Sequence, residues 1–238
     1  MVKLKICGNH HAQDIQAVAP FAGEIDYLGF IFTTHSKRYV PPERVRGWLE
    51  QDPRLLPKAV AVFLDQPLTE VCQVLEMTGI GQVQLHGTEQ AAYCQQLRQR
   101  LPHLLIWKVI PVPNQGNESI TGERLVQLER QINTYLDLVD VVLLDTKVQG
   151  QAGGTGQTFD WRLVPHVALQ VQRWNETGGR QVKLFVAGGL TADNIGLLLA
   201  MDSIDGIDLA SGAETEGRKD MRKIEAVINE VKQYAKNR

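Results

Sequence analysis

Short, almost wholly apolar runs alternate along the chain with segments whose apolar residues recur at helical spacing. The runs cover residues 2–7, 27–32, 58–64, 82–85, 104–110, 141–144, 182–186 and 206–210. Runs this short and this continuously apolar suit parallel strands covered on both faces. Between them, Cys94, Leu97 and Leu101 recur at i, i+3 and i+7, and Leu125, Leu128 and Ile132 follow the same rule. Met221, Ile224, Val227, Ile228 and Val231 form the last and clearest stripe. Pro41 and Pro67 stand where first helical turns should begin, a position that proline tolerates. A helix over about 160–173 contains Pro165, which is expected to shorten or split it.

Eight strand–helix units in 238 residues match the count and length of a (β/α)₈ barrel. An open, doubly wound sheet is the competing layout, and it usually needs fewer strands. No composition shift or Pro/Ser-rich linker divides the chain, so residues 1–238 read as one catalytic domain. Segments 114–122 and 177–181 read as surface loops. The chain is 43% hydrophobic, ample for a packed core, which excludes disorder throughout. Lys+Arg 25 against Asp+Glu 27 leaves a net charge of -2 and no bulk basic footprint for nucleic acid. No apolar run approaches the roughly 18 residues of a membrane helix, and residues 1–8 lack a signal-peptide core. A cytoplasmic protein with no membrane partner is the expectation.

Cys7, Cys72 and Cys94 are too few for a disulfide framework, and no two stand at CxxC spacing. His10 and His11 are adjacent, poor spacing for chelation, and no HExxH occurs, so no metal is expected. In a closed barrel the chemistry lies at the C-terminal strand ends. Cys7, Arg38, His86, Asp145, Gly188-Gly189 and Ser211-Gly212 all fall there. Strands one and six are three steps apart on an eight-strand ring, so Cys7 and Asp145 would face each other as proton acceptor and donor. Taken alone, Cys7 reads rather as a buried small hydrophobe and Asp145 as a turn or cap residue. Gly188-Gly189 and Ser211-Gly212 close strands seven and eight, where barrels often bind phosphate through backbone N–H groups. Arg38 suits a carboxylate held in bidentate fashion, or is simply a solvated charge. His86 is a site residue or a strand-end hydrogen-bonding group. The Gly-rich stretch 151–158 fits no nucleotide motif and suits a loop over bound substrate.

Several stretches in order along nearly the whole chain resemble the phosphoribosylanthranilate isomerase family of tryptophan biosynthesis. They are Lys5-Ile-Cys-Gly8, Tyr27-Leu-Gly-Phe-Ile-Phe32, Ser36-Lys-Arg-Tyr-Val40, Val83-Gln-Leu-His-Gly87, Leu143-Leu-Asp-Thr146, Gly153-Gly-Thr-Gly-Gln-Thr-Phe-Asp-Trp161, Ala187-Gly-Gly-Leu190 and Ser211-Gly212. The resemblance implies a (β/α)₈ barrel and a cofactor-free Amadori rearrangement of N-(5-phosphoribosyl)anthranilate to 1-(2-carboxyphenylamino)-1-deoxyribulose 5-phosphate. It implies Asp145 as general acid, Cys7 as general base and Arg38 on the anthranilate carboxylate. The glycine loops at 188–189 and 211–212 would hold the phosphate. The expected partner is the small phosphoribosyl substrate, in a monomer or homodimer.

A free thiol near pKa 8.5 is only about 3% thiolate at pH 7, and a free aspartate near 3.9 is almost wholly ionised. The site must therefore shift at least one of them. Alternation puts Lys5 on the same strand face as Cys7, where it is expected to favour the thiolate. Two departures from the common family pattern stand out. Asn9-His10 replaces Ile-Thr, and Ala210-Ser211 replaces a pair of serines, removing one hydroxyl from the expected phosphate site. The segments around 114–136 and 168–181 are longer than in many members. The competing functions are the related isomerase of histidine biosynthesis, a non-catalytic phosphate-binding barrel and a nucleotide-dependent oxidoreductase. The first uses a pair of aspartates where strand one here offers Cys7, the second leaves Cys7, Asp145 and Arg38 without a purpose, and the third lacks a Rossmann fingerprint.

Overall fold

A computed structural model of the chain describes residues 2–114, 122–147 and 158–236. Eight parallel strands close into a ring in chain order: β1 (Lys3–Cys7), β2 (Tyr27–Ile31), β3 (Ala59–Phe63), β4 (Gln82–Leu85), β5 (Leu105–Pro113), β6 (Val141–Lys147), β7 (Lys183–Val186) and β8 (Gly206–Leu209). β8 returns to β1 with Lys5 opposite Asp208, which closes the barrel and leaves no sheet edge. The helices are α1 (Ala12–Val18), α2 (Pro42–Gln51), α3 (Leu68–Thr78), α4 (Ala91–Arg100), α5 (Gly122–Asn133), α6 (Val164–Glu176), α7 (Ala192–Leu199) and α8 (Met221–Lys236). This is the expected (β/α)₈ architecture, and the open sheet is excluded by the β8–β1 pairing.

The strands alternate between two cores. Outward residues such as Ala59, Ala61 and Phe63 pack under the helices, with Val45 and Leu49 of α2 and the Ile224–Val227–Ile228–Val231 stripe of α8. Inward residues Val60, Trp107, Val109, Val141, Leu143 and Phe185 fill the barrel with Tyr27. Tyr27, Trp107 and Phe185 stack edge to face at 4.7–5.9 Å between centroids, forming an aromatic floor.

Prolines behave differently from expectation in detail. Pro41 and Pro67 cap α2 and α3 from just outside rather than entering their first turns. Pro165 lies in the first turn of α6, where its missing N–H has no intrahelical partner to lose. A 3₁₀ turn, Trp161–Leu163, precedes it, and the helix runs on to Glu176. β5 and β6 extend past the predicted ends to Pro113 and Lys147 and raise Asp145 within the barrel mouth. Residues 148–157, most of the Gly-rich stretch, and 115–121, most of the 114–122 loop, lie outside the described residues.

Candidate active site

The C-terminal ends of the strands surround a cavity of about 650 Å³. Cys7, Arg38, His86, Asp145, Gly188, Gly189, Ser211 and Gly212 all line it, and so do His10, Gln84 and Asp208. A second recess of similar volume lies elsewhere, along α6 and residues 202–205, and none of these residues reaches it.

Cys7 ends β1 and is buried, 7% exposed. Its sulfur has room because the neighbouring strand position is Gly29, where a Cβ would crowd Sγ. Burial pushes the thiol above its ordinary value, the nearby Asp208 carboxylate adds to this, and Lys5 and Lys219 only partly oppose them. Lys5 favours the thiolate, as its place on the strand face implies, without bringing the thiol down to its ordinary value. The ammonium does lower the thiol pKa, but desolvation outweighs it.

Lys5 is itself wholly buried and pairs with Asp208 at 2.7 Å. It sits 5.9 Å from the Trp107 ring centroid, above the aromatic floor. Burial disfavours its charge, yet Asp208 and Cys7 outweigh that and hold the ammonium above its ordinary pKa. Burial pushes the Asp208 carboxyl up, against the pull of Lys5, and the carboxylate of Asp145 adds to the rise. Asp208 Oδ1 is buried without a hydrogen-bond partner among the described residues.

Asp145 stands near the end of β6. Its Oδ1 accepts the Thr146 N–H at 2.7 Å, and its Oδ2 lies 3.2 Å from His86 Nε2. His86 Nδ1 lies 3.2 Å from the Gln84 side-chain nitrogen. Gly188, at φ 87°, is a requirement of this arrangement. A side chain there would collide with Thr146 and with Asp145 Oδ1, and an L-residue rarely adopts that φ.

Arg38, on the loop after β2, directs its fork at Glu214 rather than into open space. Nε and Nη2 donate to the two carboxylate oxygens at 2.8 and 2.7 Å. Glu214 also accepts from Lys219 Nζ at 2.7 Å. Lys219 in turn donates to the Cys7 carbonyl at 2.5 Å and the Ala210 carbonyl at 3.3 Å. Burial works against the Glu214 charge, but the two cations hold its pKa below the ordinary range. Burial lowers Lys219, with Glu214 opposing. Glu214 and Lys219 lie on a small antiparallel hairpin, β9 (Glu214–Thr215) and β10 (Arg218–Lys219), which sequence reasoning missed.

The β7–α7 loop and the single turn Ser211–Ala213 meet at the mouth of the cavity. A Cβ on Gly212 would strike the Leu190 carbonyl, so the two loops touch only because residue 212 is glycine. Asn194 holds this corner by donating to the Gly189 carbonyl at 2.9 Å and accepting the Thr191 N–H at 2.9 Å. Of the departures, Asn9 is fully buried and staples β1 to β2 through the carbonyls of Ile6 and Gly29. His10 and Ala210 face the cavity. Among the described residues no cluster of three His, Cys, Asp or Glu side chains is arranged to hold a metal ion.

The arrangement gathers a thiol, a carboxyl, a guanidinium and two glycine-containing loops around one cavity. The family model for N-(5'phosphoribosyl)anthranilate (PRA) isomerase matches residues 4–230. The N-(5'-phosphoribosyl)anthranilate isomerase of Geobacillus thermodenitrificans is 38% identical over 235 residues, covering 98% of this chain and 96% of the relative. The solved monomeric form of the dimeric Thermotoga maritima phosphoribosylanthranilate isomerase superposes with a TM-score of 0.72 at 28% identity, covering 98% of this chain and 100% of that one. A phosphoribosylanthranilate isomerase solved with reduced 1-(o-carboxyphenylamino)-1-deoxyribulose 5-phosphate is similarly close, with a TM-score of 0.72, 26% identity and coverage of 98% and 100%.

Proposed function

The chain belongs to the N-(5'-phosphoribosyl)anthranilate isomerase family, and from that premise we propose how its barrel mouth performs the reaction. The enzyme converts N-(5-phosphoribosyl)anthranilate to 1-(2-carboxyphenylamino)-1-deoxyribulose 5-phosphate, the isomerase step of tryptophan biosynthesis. The observation that carries the assignment of roles is that Cys7, Asp145, Arg38 and the glycine loops at 188–189 and 211–212 all line one cavity. The whole of 1–238 is assigned to this one catalytic domain.

Asp145 protonates the ribose ring oxygen as the anilino nitrogen lone pair forms C1=N⁺ and the C1–O bond breaks. The iminium acidifies C2–H, and the Cys7 thiolate takes that proton. The C–H electrons become the C1=C2 bond of an enolamine and neutralise the nitrogen. The enol O–H proton is lost, C1 gains a proton, and the ketone results. Solvent returns the proton held by Cys7 to Asp145, so atoms and charge balance over the cycle.

Cys7 is mainly thiol in the resting site, and Lys5 and Lys219 are the charges that stabilise its thiolate when it forms. His86 Nε2, 3.2 Å from Asp145 Oδ2, holds the carboxyl in place beside the cavity, and Gln84 supports the far side of the ring at Nδ1. Arg38 meets the anthranilate carboxylate with Nη1, its other two nitrogens being held by Glu214. Gly188, Gly189, Ser211 and Gly212 receive the phosphate. The assembly is assigned as a monomer or a homodimer, in the cytoplasm.

Binding of reduced 1-(o-carboxyphenylamino)-1-deoxyribulose 5-phosphate tests this placement. Cys7→Ala and Asp145→Asn should bind it as wild type does, while Arg38→Met should bind it about tenfold or more weakly, as expected for losing a charge-assisted contact. Unchanged affinity in Arg38→Met contradicts the assigned orientation.

A further inference from the structure

Outside the cavity, on the helix side of the barrel wall, lies a further buried ion pair that the mechanism above does not use. Lys108 of β5 and Glu89 of the loop before α4 meet at 2.7 Å, with side chains only 3% and 2% exposed. A lysine within the apolar 104–110 strand is costly to bury, and a pair of this kind is seldom a net gain in stability over apolar residues of similar volume. Its contacts point to a different use.

Lys108 Nζ donates to the carbonyls of Leu85, at 3.4 Å, and Gly87, at 2.8 Å. These are the two residues that flank His86. Glu89 Oε1 accepts the Gly87 N–H at 3.3 Å and the Asp65 N–H at 2.9 Å, so it also ties this turn to the end of β3. Tyr135 fixes the pair from behind, donating to the Glu89 carbonyl at 3.0 Å with its ring 5.8 Å from Lys108 Nζ. His86 N itself donates to the Phe63 carbonyl at 2.8 Å. The backbone on both sides of His86 is therefore held by one charged clamp, while its ring lies 3.2 Å from Asp145 on the opposite face of the wall.

We propose that Lys108 and Glu89 are positioning residues for the isomerisation, setting the His86 ring against the Asp145 carboxyl from outside the active site. The inference rests on the assignment of Asp145 as general acid with His86 as its neighbour. Neither clamp residue lines the cavity, so substrate binding is separate from their action. A displacement of the ring by even about 1 Å is enough to cost up to roughly a hundredfold in rate.

The test is a double-mutant cycle on the full chain. Lys108→Met/Glu89→Gln removes both charges together and leaves no unpaired buried ion. Glu89→Asp keeps the charge, draws the carboxylate back by one methylene, and serves if the double variant fails to fold. Each is measured in wild-type and His86→Ala backgrounds, by turnover and by thermal unfolding. The expected result is a kcat about tenfold or more below wild type with KM within twofold. In the His86→Ala background the same changes should leave kcat unaltered, while the loss in Tm stays the same in both backgrounds. A kcat loss that is equal in the two backgrounds, or no loss in either, overturns the proposal. Asp145→Asn is run alongside. Full activity there defeats the underlying acid assignment, whereas an inactive Asp145→Asn with equal losses in the cycle defeats the clamp alone.

Discussion

Glu214 keeps two cations against the cavity wall, and Glu214→Gln removes the charge while preserving shape. Opposite unit charges about 4 Å apart attract by about 4 kcal/mol at an effective dielectric constant near 20. The two partners do not lose equally. The Arg38 side chain is 22% exposed, so water replaces part of what it loses. The Lys219 side chain is 0% exposed and is left with neutral acceptors only, the Cys7 and Ala210 carbonyls and the new amide oxygen. The expected destabilisation is therefore about 3 kcal/mol, the low end for breaking a buried pair. Lys219→Met should cost about 1–2 kcal/mol, because Glu214 keeps Arg38. The two changes together should cost about 2 kcal/mol, a coupling of about 2–3 kcal/mol. Urea unfolding midpoints read this directly. The folded-state pKa of Glu214 lies below its ordinary value. Its stabilisation is thus present above the unfolded carboxyl pKa and is lost as pH falls through the lower folded value. The gap between wild type and Glu214→Gln should narrow on acidification. Strictly additive losses at pH 7, or a gap that does not narrow, would refute the reasoning.

Three further outcomes follow from the site. Iodoacetamide alkylation of Cys7 should rise with pH through a midpoint above the ordinary thiol value, and Lys5→Met should move it higher still, since that change removes the nearest stabilising ammonium and leaves Asp208 unpaired. A midpoint that is unchanged in Lys5→Met would show that the ammonium does not act on the sulfur. Gly188→Ala should lose about 2 kcal/mol or more and nearly all turnover, because the added methyl meets Asp145 and Thr146 at a positive φ. Near-normal turnover would mean that the Asp145 carboxyl need not sit where it does. Ser211→Ala should raise KM by roughly fivefold with kcat nearly unchanged, as for one lost hydroxyl contact to the phosphate.

Most of the barrel was legible because each strand is a short apolar run and three of the helices, α4, α5 and α8, carry a clear apolar stripe. The strand ends then told where to look, and every residue singled out there lines the cavity. What escaped was charge buried inside those runs. Asp208 stands in Gly-Ile-Asp-Leu, where period-two alternation places it inward beside Lys5, and that signal was present but unused. Lys108 likewise interrupts an apolar run. Glu214 and Lys219 had no comparable signal, since a two-residue ladder turning at Gly217 carries no periodicity, and only the closed barrel brings Lys219 to the Cys7 carbonyl. The thiol pKa escaped for another reason. Adjacency on a strand face reveals Lys5 but not the depth of burial, and burial is the larger influence.

The central claim is that Cys7 and Asp145 divide the proton transfers between them. Anthranilate fluorescence during a single turnover of freshly prepared N-(5-phosphoribosyl)anthranilate, with enzyme in excess, measures those transfers without product release. Cys7→Ala and Asp145→Asn should each be slower than wild type by about a thousandfold or more, within the range for loss of a general acid or base, while unfolding at the same temperature. Turnover within tenfold of wild type in either variant would contradict the account, because one of the two assigned proton transfers would then be proceeding without its residue.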